Sequence, residues 1–275
     1  LGTEESKVLQ VRDLHVQLKT KNGITDLVKD INFELKPGKV LGLIGESGCG
    51  KTITSMSILQ LLNRKETIIK GSIMLKGQEL NGLAEKEMRK IRGKDIAFIM
   101  QNPMNAFTPV FTIGHQFVET IRSHTNWNKK QATELAIESM KQVNLPEPNK
   151  LLKYYPFQLS GGMLQRVMIA IAASLHPSII IADEPTTALD VNNQKKVLRH
   201  LDKVRSDYGS AILLISHDLG VIAELADEVA VMQHGQIVET ADVFQLFDNP
   251  KHEYTKKLLN ARPTLYLDEP VINLI

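Results

Sequence analysis

The stretch Gly45-Glu46-Ser47-Gly48-Cys49-Gly50-Lys51-Thr52 constrains this chain more than any other. It fits G-x-x-x-x-G-K-[ST], a loop whose backbone amides wrap nucleotide phosphates. An apolar run, Val40-Leu41-Gly42-Leu43-Ile44, precedes it and reads as a buried strand. After it, Ile53, Met56 and Leu59, and Ile58, Leu61 and Leu62, recur at helical spacing. Strand, glycine turn and helix are the context the motif needs. Glycines let the backbone turn with amides inward, and the helix adds its positive N-terminal end. Lys51 is placed to reach the β- and γ-phosphates, and the Thr52 hydroxyl to ligate Mg2+. Such a loop alone indicates a nucleotide and not what is done with it.

Composition narrows the field. With 275 residues the chain is long enough for one large domain or two small ones. Lys and Arg total 33 against 31 Asp and Glu, a net charge of +2, which argues against nucleic acid held by bulk charge. The short basic cluster Asn128-Lys129-Lys130 reads as a solvated helix start. A single cysteine excludes an internal disulfide and any four-cysteine zinc or iron–sulfur site, so no iron–sulfur cluster is expected. No apolar run approaches the roughly 20 residues of a membrane span, and no charged-then-apolar leader opens the sequence.

In chain order, Val8 to Leu18 alternates as a strand and Asn22-Gly23 is a turn signal. Ile31 to Leu35 and Gly71 to Leu75, with the Lys76-Gly77 turn, add antiparallel ribbon. Ile96 to Met100 is a buried-type strand ending at Gln101-Asn102-Pro103. From about Met104 to Ser174 the pattern is helical; Gln131 to Val143 is one helix, and Ser160 sits where an N-cap belongs before another. Ile179 to Ala182 and Ala211 to Ser216 resume a parallel sheet around a helix near Asn193 to Tyr208. Val229 to Met232 and Ile237 to Glu239 form a late hairpin, and 251–275 is of low periodicity.

Asp183 and Glu184 stand at the C-terminal end of an apolar strand, the edge of an α/β sheet where ligands sit. One acid there can hold Mg2+ through water, and the next can polarise an attacking water. The phosphate loop, Gln101, Leu159-Ser160-Gly161-Gly162, Ile179 to Glu184, Ala188-Leu189-Asp190 and His217 stand in the order of the ABC-transporter ATPases, and the chain resembles that family from about Val8 to Pro250. The resemblance implies an α/β fold: a phosphate-loop ATPase with a RecA-like, mostly parallel sheet core, an N-terminal antiparallel β subdomain and an inserted helical subdomain. The ATPase domain would span 8–250, with the helical subdomain at about 104–174 and a C-terminal tail at 251–275.

The resemblance further implies a head-to-tail dimer with ATP sandwiched at the interface. Gly45 to Thr52 would hold the nucleotide from one side, and Ser160, Gly161 and Gly162 would close on its γ-phosphate from the partner. A hydroxyl, two side-chain-free amides and a helix N-terminus make an anion cradle. By matching position, Asp183 would order Mg2+, Glu184 serve as general base and His217 contact the γ-phosphate. Gln101 would sense Mg2+ and the water, and Asp190 couple the two sites. Two departures from the family pattern stand out. Met163 occupies a place where many members have Gln, and no aromatic lies between Val16 and Asp26 to stack on adenine, so either the base is held weakly or an aliphatic residue substitutes there. Cys49 reads as a small loop residue, with a thiolate near helix-end amides as the reactive alternative.

Within the family, Gln101-Asn102-Pro103, Tyr155-Pro156-Phe157, Ser160 to Arg166 and His252-Glu253-Tyr254-Thr255 are similar to the peptide/nickel importer ATPases. Met100 to Phe107 with Gly162 to Arg166 leans toward nickel or metal-chelate members; dipeptide or oligopeptide uptake is the alternative. The resemblance implies a second ABC ATPase subunit, a different chain, as partner. Two membrane permeases and an extracytoplasmic solute-binding protein complete the assembly, with no nucleic acid and a peripheral place on the cytoplasmic face of the inner membrane. A small-molecule kinase would not need Ser160 to Gly162, and a ribosome-acting ABC protein has tandem cassettes where each motif here occurs once. A DNA-repair ABC protein would carry coiled coils or zinc cysteines. A non-hydrolytic regulatory subunit is the remaining rival, and the intact Glu184 and His217 weigh against it.

Overall fold

The computed structural model describes residues 7–21, 23–187 and 189–260. Two sheets organise it. The first is antiparallel, ordered β2-β1-β4-β5, from β1 (Leu9–Thr20), β2 (Gly23–Leu35), β4 (Thr67–Leu75) and the two-residue β5 (Gln78–Glu79). Alternating burial along β1 reflects a ribbon with one face on the core. The expected turn falls partly on Asn22, which lies outside the described residues; Thr20 and Gly23 pair across it.

The second sheet runs β10-β9-β3-β8-β7-β6. Its strands are β3 (Val40–Ile44), β6 (Ile96–Ile99), β7 (Ile179–Asp183), β8 (Ala211–Ile215), β9 (Glu228–Gln233) and β10 (Gln236–Asp242). All neighbours pair in parallel except the edge hairpin β9–β10. Every residue of β3, β7 and β8 is buried, which explains an apolar composition broken only by Asp183 at the end of β7: a parallel strand covered on both faces has no wet side. Alternation then divides two cores. Val40, Ile44, Ile180, Ile212 and Leu214 face the larger helical layer, while Leu41, Leu43, Ile181, Leu213 and Ile215 face the antiparallel sheet.

Helices fill the connections: α1 (Lys51–Ile58), α2 (Glu85–Ile91), α3 (Ile113–His124), α4 (Lys129–Gln142), the single turn α5 (Pro148–Leu151) and α6 (Gly161–Ala173). After β7 come α7 (Val191–Tyr208), α8 (Leu219–Leu225), α9 (Val243–Asp248) and α10 (Glu253–Asn260). Asn128 and Gln131 form a reciprocal capping box that starts α4 at the basic cluster. Phe117, Ile121, Ala132, Ala136 and Met140 of α3 and α4 share the core with Leu164, Val167 and Met168 of α6.

Two expectations are corrected. The apolar stripe read after the phosphate loop is only part of the buried face of α1. Ile58, where the helix ends, and Leu59 just beyond it are buried, but Ile53 and Met56 are half-buried and Leu61 is exposed. Its inward face carries Thr54, Ser55 and Ser57, whose hydroxyls donate to the carbonyls of Gly50, Thr52 and Ile53 at 3.0, 2.8 and 2.8 Å. Satisfied by their own turn, these hydroxyls bury at little cost. The stretch read as a tail contains α10, with Tyr254 and Thr255 buried; residues 261–275 lie outside the described residues.

Candidate functional site

Four neighbouring parallel strands, β3, β8, β7 and β6, release their C-terminal ends along one edge of the sheet. The phosphate loop follows β3, His217 follows β8, Glu184 follows β7 and Gln101 follows β6. Positions far apart in the sequence thereby meet around a cavity of about 460 Å3. Ser47, Gly48, Gly50, Lys51 and Thr52 line one side of it; Gln101, Asp183, Glu184 and His217 line the other, and Leu27 and Ile53 supply apolar wall.

The loop's shape depends on glycine where the backbone is crowded. Gly45 has φ 150° and lies so near the Met232 carbonyl that a Cβ would stand 2.1 Å from that oxygen. Gly50, with φ 110°, ends the loop and begins α1. Lys51 is buried, and its ammonium donates to the carbonyls of Gly45 and Glu46 at 2.7 and 2.9 Å. Its charge is thus parked on the loop, next to the cavity. Cys49 is also buried, with Sγ 3.6 Å from the Lys51 ammonium, and is not among the cavity-lining residues. That burial favours the small-residue reading over a reactive thiol.

Asp183 ends β7 beneath the loop. Burial pushes its carboxyl up, Glu184 adds to that, and a hydrogen bond from Thr52 with the charge of Lys51 pulls the other way. A buried acid beside a hydroxyl is a hard-oxygen pair of the kind Mg2+ takes together with phosphates and water. Among the described residues no group of three or more His, Cys, Asp or Glu could hold a metal ion unaided.

Glu184 departs from the strand with φ 52°, in the left-handed region where a non-glycine residue is strained. Its carboxylate is then held from two sides. The His217 amide and Nδ1 reach Oε1 at 3.0 and 2.8 Å, and the Thr187 hydroxyl donates to Oε2 at 2.7 Å. A carboxylate only accepts, so this contact requires the proton on Nδ1 and leaves Nε2 of a neutral ring with a lone pair. An oriented carboxylate with capacity for another hydrogen bond, next to an imidazole, can take a proton from water.

Ser160, Gly161, Gly162 and Asp190 do not line the cavity. Ser160 caps α6, its hydroxyl accepting from the Met163 amide at 3.3 Å, as its position implied. Asp190 caps α7 through the Asn193 amide, and the side chain of Asn193 packs beside Gly162. The two helix starts are therefore neighbours. Ala188 lies outside the described residues. Sequence reasoning missed Leu27, Thr187 and the buried hydrogen bond from Gln165 to the Pro185 carbonyl at 2.8 Å. Tyr254, which the sequence offered only within a family match, meets the loop through its hydroxyl.

The profile of the ABC transporter family matches residues 28–187, from β2 through the loop after Glu184. The chain belongs to the ABC transporter family. Its ABC relatives include the probable peptide ABC transporter ATP-binding protein y4tR of Sinorhizobium fredii, 43% identical over 93% of this chain and 77% of its own length. The oligopeptide transport ATP-binding protein OppD of Bacillus subtilis is 42% identical, covering 94% of this chain and 73% of its own. For the dipeptide transport ATP-binding protein DppD of the same organism the values are 43%, 95% and 78%. Among solved structures, the dimeric post-hydrolysis state of the ATP-binding cassette MJ0796, bound to ADP and Pi, superposes with a TM-score of 0.77 at 25% identity. That match covers 86% of this chain and 98% of MJ0796. The expected ABC ATPase fold, a mixed sheet with an antiparallel sheet and helices, is borne out, and the protein is an ABC-type ATPase. No helix among the described residues is long and apolar enough to cross a membrane.

Proposed function

We propose that this chain is the ATP-hydrolysing subunit of a peptide importer, working at the cytoplasmic face of the membrane with permease subunits, a second ABC ATPase and an extracytoplasmic solute-binding protein. The observation that carries the catalytic part is the convergence of Lys51, Thr52, Asp183, Glu184 and His217 on one cavity from the ends of three adjacent strands. The choice of cargo rests on relatives 42–43% identical whose names specify peptides, oligopeptides or dipeptides. None of these names mentions nickel, so the alternative cargo of the sequence analysis displaces the nickel or metal-chelate lean.

The residues have the following roles. The triphosphate lies along Ser47 to Thr52, and Leu27 offers an aliphatic wall where relatives in this family often stack an aromatic on adenine. Lys51 exchanges its two carbonyl partners for phosphate oxygens, so binding replaces hydrogen bonds it already makes. Thr52 and Asp183, with Gln101 lining the same cavity, would hold Mg2+, which would supply neutralisation of phosphate charge. Glu184 takes the proton of a water whose oxygen attacks the γ-phosphorus as the bond to the β,γ-bridging oxygen breaks. ADP and phosphate are the products. His217 fixes the Glu184 carboxylate through Nδ1, and its contact with the γ-phosphate is a hydrogen bond donated from Nε2, which needs a proton on that nitrogen as well. Ser160, Gly161 and Gly162 of a second ABC protomer close the pocket, and Asp190 links the two sites.

Purified protein is expected to hydrolyse ATP only with Mg2+, and Lys51→Ala or excess chelator to abolish turnover. Magnesium-dependent hydrolysis undiminished in Lys51→Ala would refute the site. With its permeases and binding protein in vesicles, ATP should drive uptake of a labelled peptide and not of free nickel; the reverse would refute the cargo.

A further inference from the structure

The phosphate loop is held from outside by a residue of the last described helix. The Glu46 amide donates to the Tyr254 hydroxyl at 3.0 Å across 208 residues of sequence. Tyr254 is buried, and burial pushes its phenol up, so it meets the amide as a neutral oxygen. Neither Glu46 nor Tyr254 lines the nucleotide cavity. Whatever Tyr254 does to bound phosphate, it does through the loop.

Around that contact the carbonyls of Gly45, Glu46 and Cys49 already have partners. The Gly45 carbonyl accepts from Lys51; the Glu46 carbonyl accepts from Lys51 and from the Cys49 amide at 3.2 Å. The Cys49 carbonyl accepts from the Gly235 amide at 3.0 Å. The part-buried Glu46 amide takes its partner from outside the loop: the phenol meets it and fixes the peptide plane at the bend where β3 enters the loop.

The helix that carries Tyr254 is itself seated. Glu239 of β10 accepts from the Lys251 and His252 amides at 2.7 and 3.0 Å, just before α10 begins. Burial acts to raise the Glu239 carboxyl, yet the hydrogen bonds it receives hold it below the usual carboxylate range. The ring of His252 accepts from the Tyr254 amide at 3.2 Å. β10 pairs with β9, whose Met232 carbonyl stands against Gly45. Strand hairpin, helix and loop therefore form one closed set of contacts.

We infer that Tyr254 is a positioning residue for nucleotide binding: its hydroxyl pre-sets the Gly45–Glu46 bend, and α10 and the phosphate loop are thereby coupled, each tightening the other. This rests on the reading that Ser47 to Thr52 holds the phosphates of ATP. Coupling is reciprocal, so ATP must also order α10.

The test uses the full chain, with Mg-ATP as the probe. Tyr254→Phe keeps the ring and removes only the acceptor. It is expected to raise the Kd and KM for Mg-ATP by about three- to ten-fold, the size set by one neutral hydrogen bond, with kcat within about two-fold of the parent and a urea midpoint lowered by no more than that one hydrogen bond accounts for. A role in stability alone would move the midpoint and leave Kd in place. In the unsubstituted chain, saturating Mg-ATP should slow amide exchange across 253–260 more than across α4, an outcome independent of how the variant folds. Wild-type affinity in Tyr254→Phe, or exchange in α10 indifferent to Mg-ATP, overturns the proposal while Lys51→Ala still abolishes binding. If Lys51→Ala binds Mg-ATP like the parent, the phosphate-loop reading fails and this inference falls with it.

Discussion

At Glu184 the backbone turns left-handed so that a carboxylate can leave the strand and meet His217. Such a conformation costs of order 1–3 kcal/mol and persists only where surrounding contacts over-determine it. Here three hydrogen bonds to the carboxylate do so, from the His217 amide, the His217 ring and the Thr187 hydroxyl. Glu184→Gln retains an acceptor for His217 and cannot take a proton from water. It should bind Mg-ATP with near-parent affinity and lower kcat by about 10²- to 10⁴-fold, read in a steady-state phosphate-release assay. Turnover at the parent rate would remove Glu184 from the role of base. Asp183, one residue earlier, is held differently: burial raises it and Thr52 sits on it. Two adjacent carboxylates thus have separate surroundings, one suited to a metal and one to a proton.

Among the elements, α6 joins the capping serine to the chemistry. Gln165 is 1% exposed, and its amide nitrogen donates to the Pro185 carbonyl, next to Glu184. Movement of the Ser160 end of α6 is therefore tied to the loop that carries the base. Gln165→Leu keeps much of the volume and leaves a buried carbonyl without a donor, so it should cost about 1–3 kcal/mol in urea denaturation. A variant as stable as the parent would show that this bond holds nothing in place. The strands were legible as apolar runs because β3, β7 and β8 are buried on every residue. The inward face of α1 was not, since hydrophobicity does not report serine and threonine hydroxyls satisfied by their own helix. The helix α10 escaped notice for a related reason. Its buried residues, Tyr254 and Thr255, are too few to set a period, and its hold on the phosphate loop spans 208 residues of chain.

On the scale of the whole molecule, the strand order β3-β8-β7-β6 turns scattered motifs into one site. Motif order in the sequence named Lys51, Thr52, Gln101, Asp183, Glu184 and His217 together; that they share a cavity is a product of the sheet's crossovers. Ser160 to Gly162 and Asp190 stand apart from that cavity in the single chain, at two helix starts that adjoin each other. Under the proposed mechanism this separation is what a second protomer resolves, and hydrolysis opens the assembly by removing the phosphate that bridges it. The most direct measurement is a structure of the assembled transporter trapped with Mg-ATP through Glu184→Gln. The account predicts the Ser160 hydroxyl or the Gly161 and Gly162 amides of one ATPase within hydrogen-bond distance of the γ-phosphate held by Lys51 of the other. A γ-phosphate enclosed by one chain alone, with both Ser160 regions remote from it, would contradict the account.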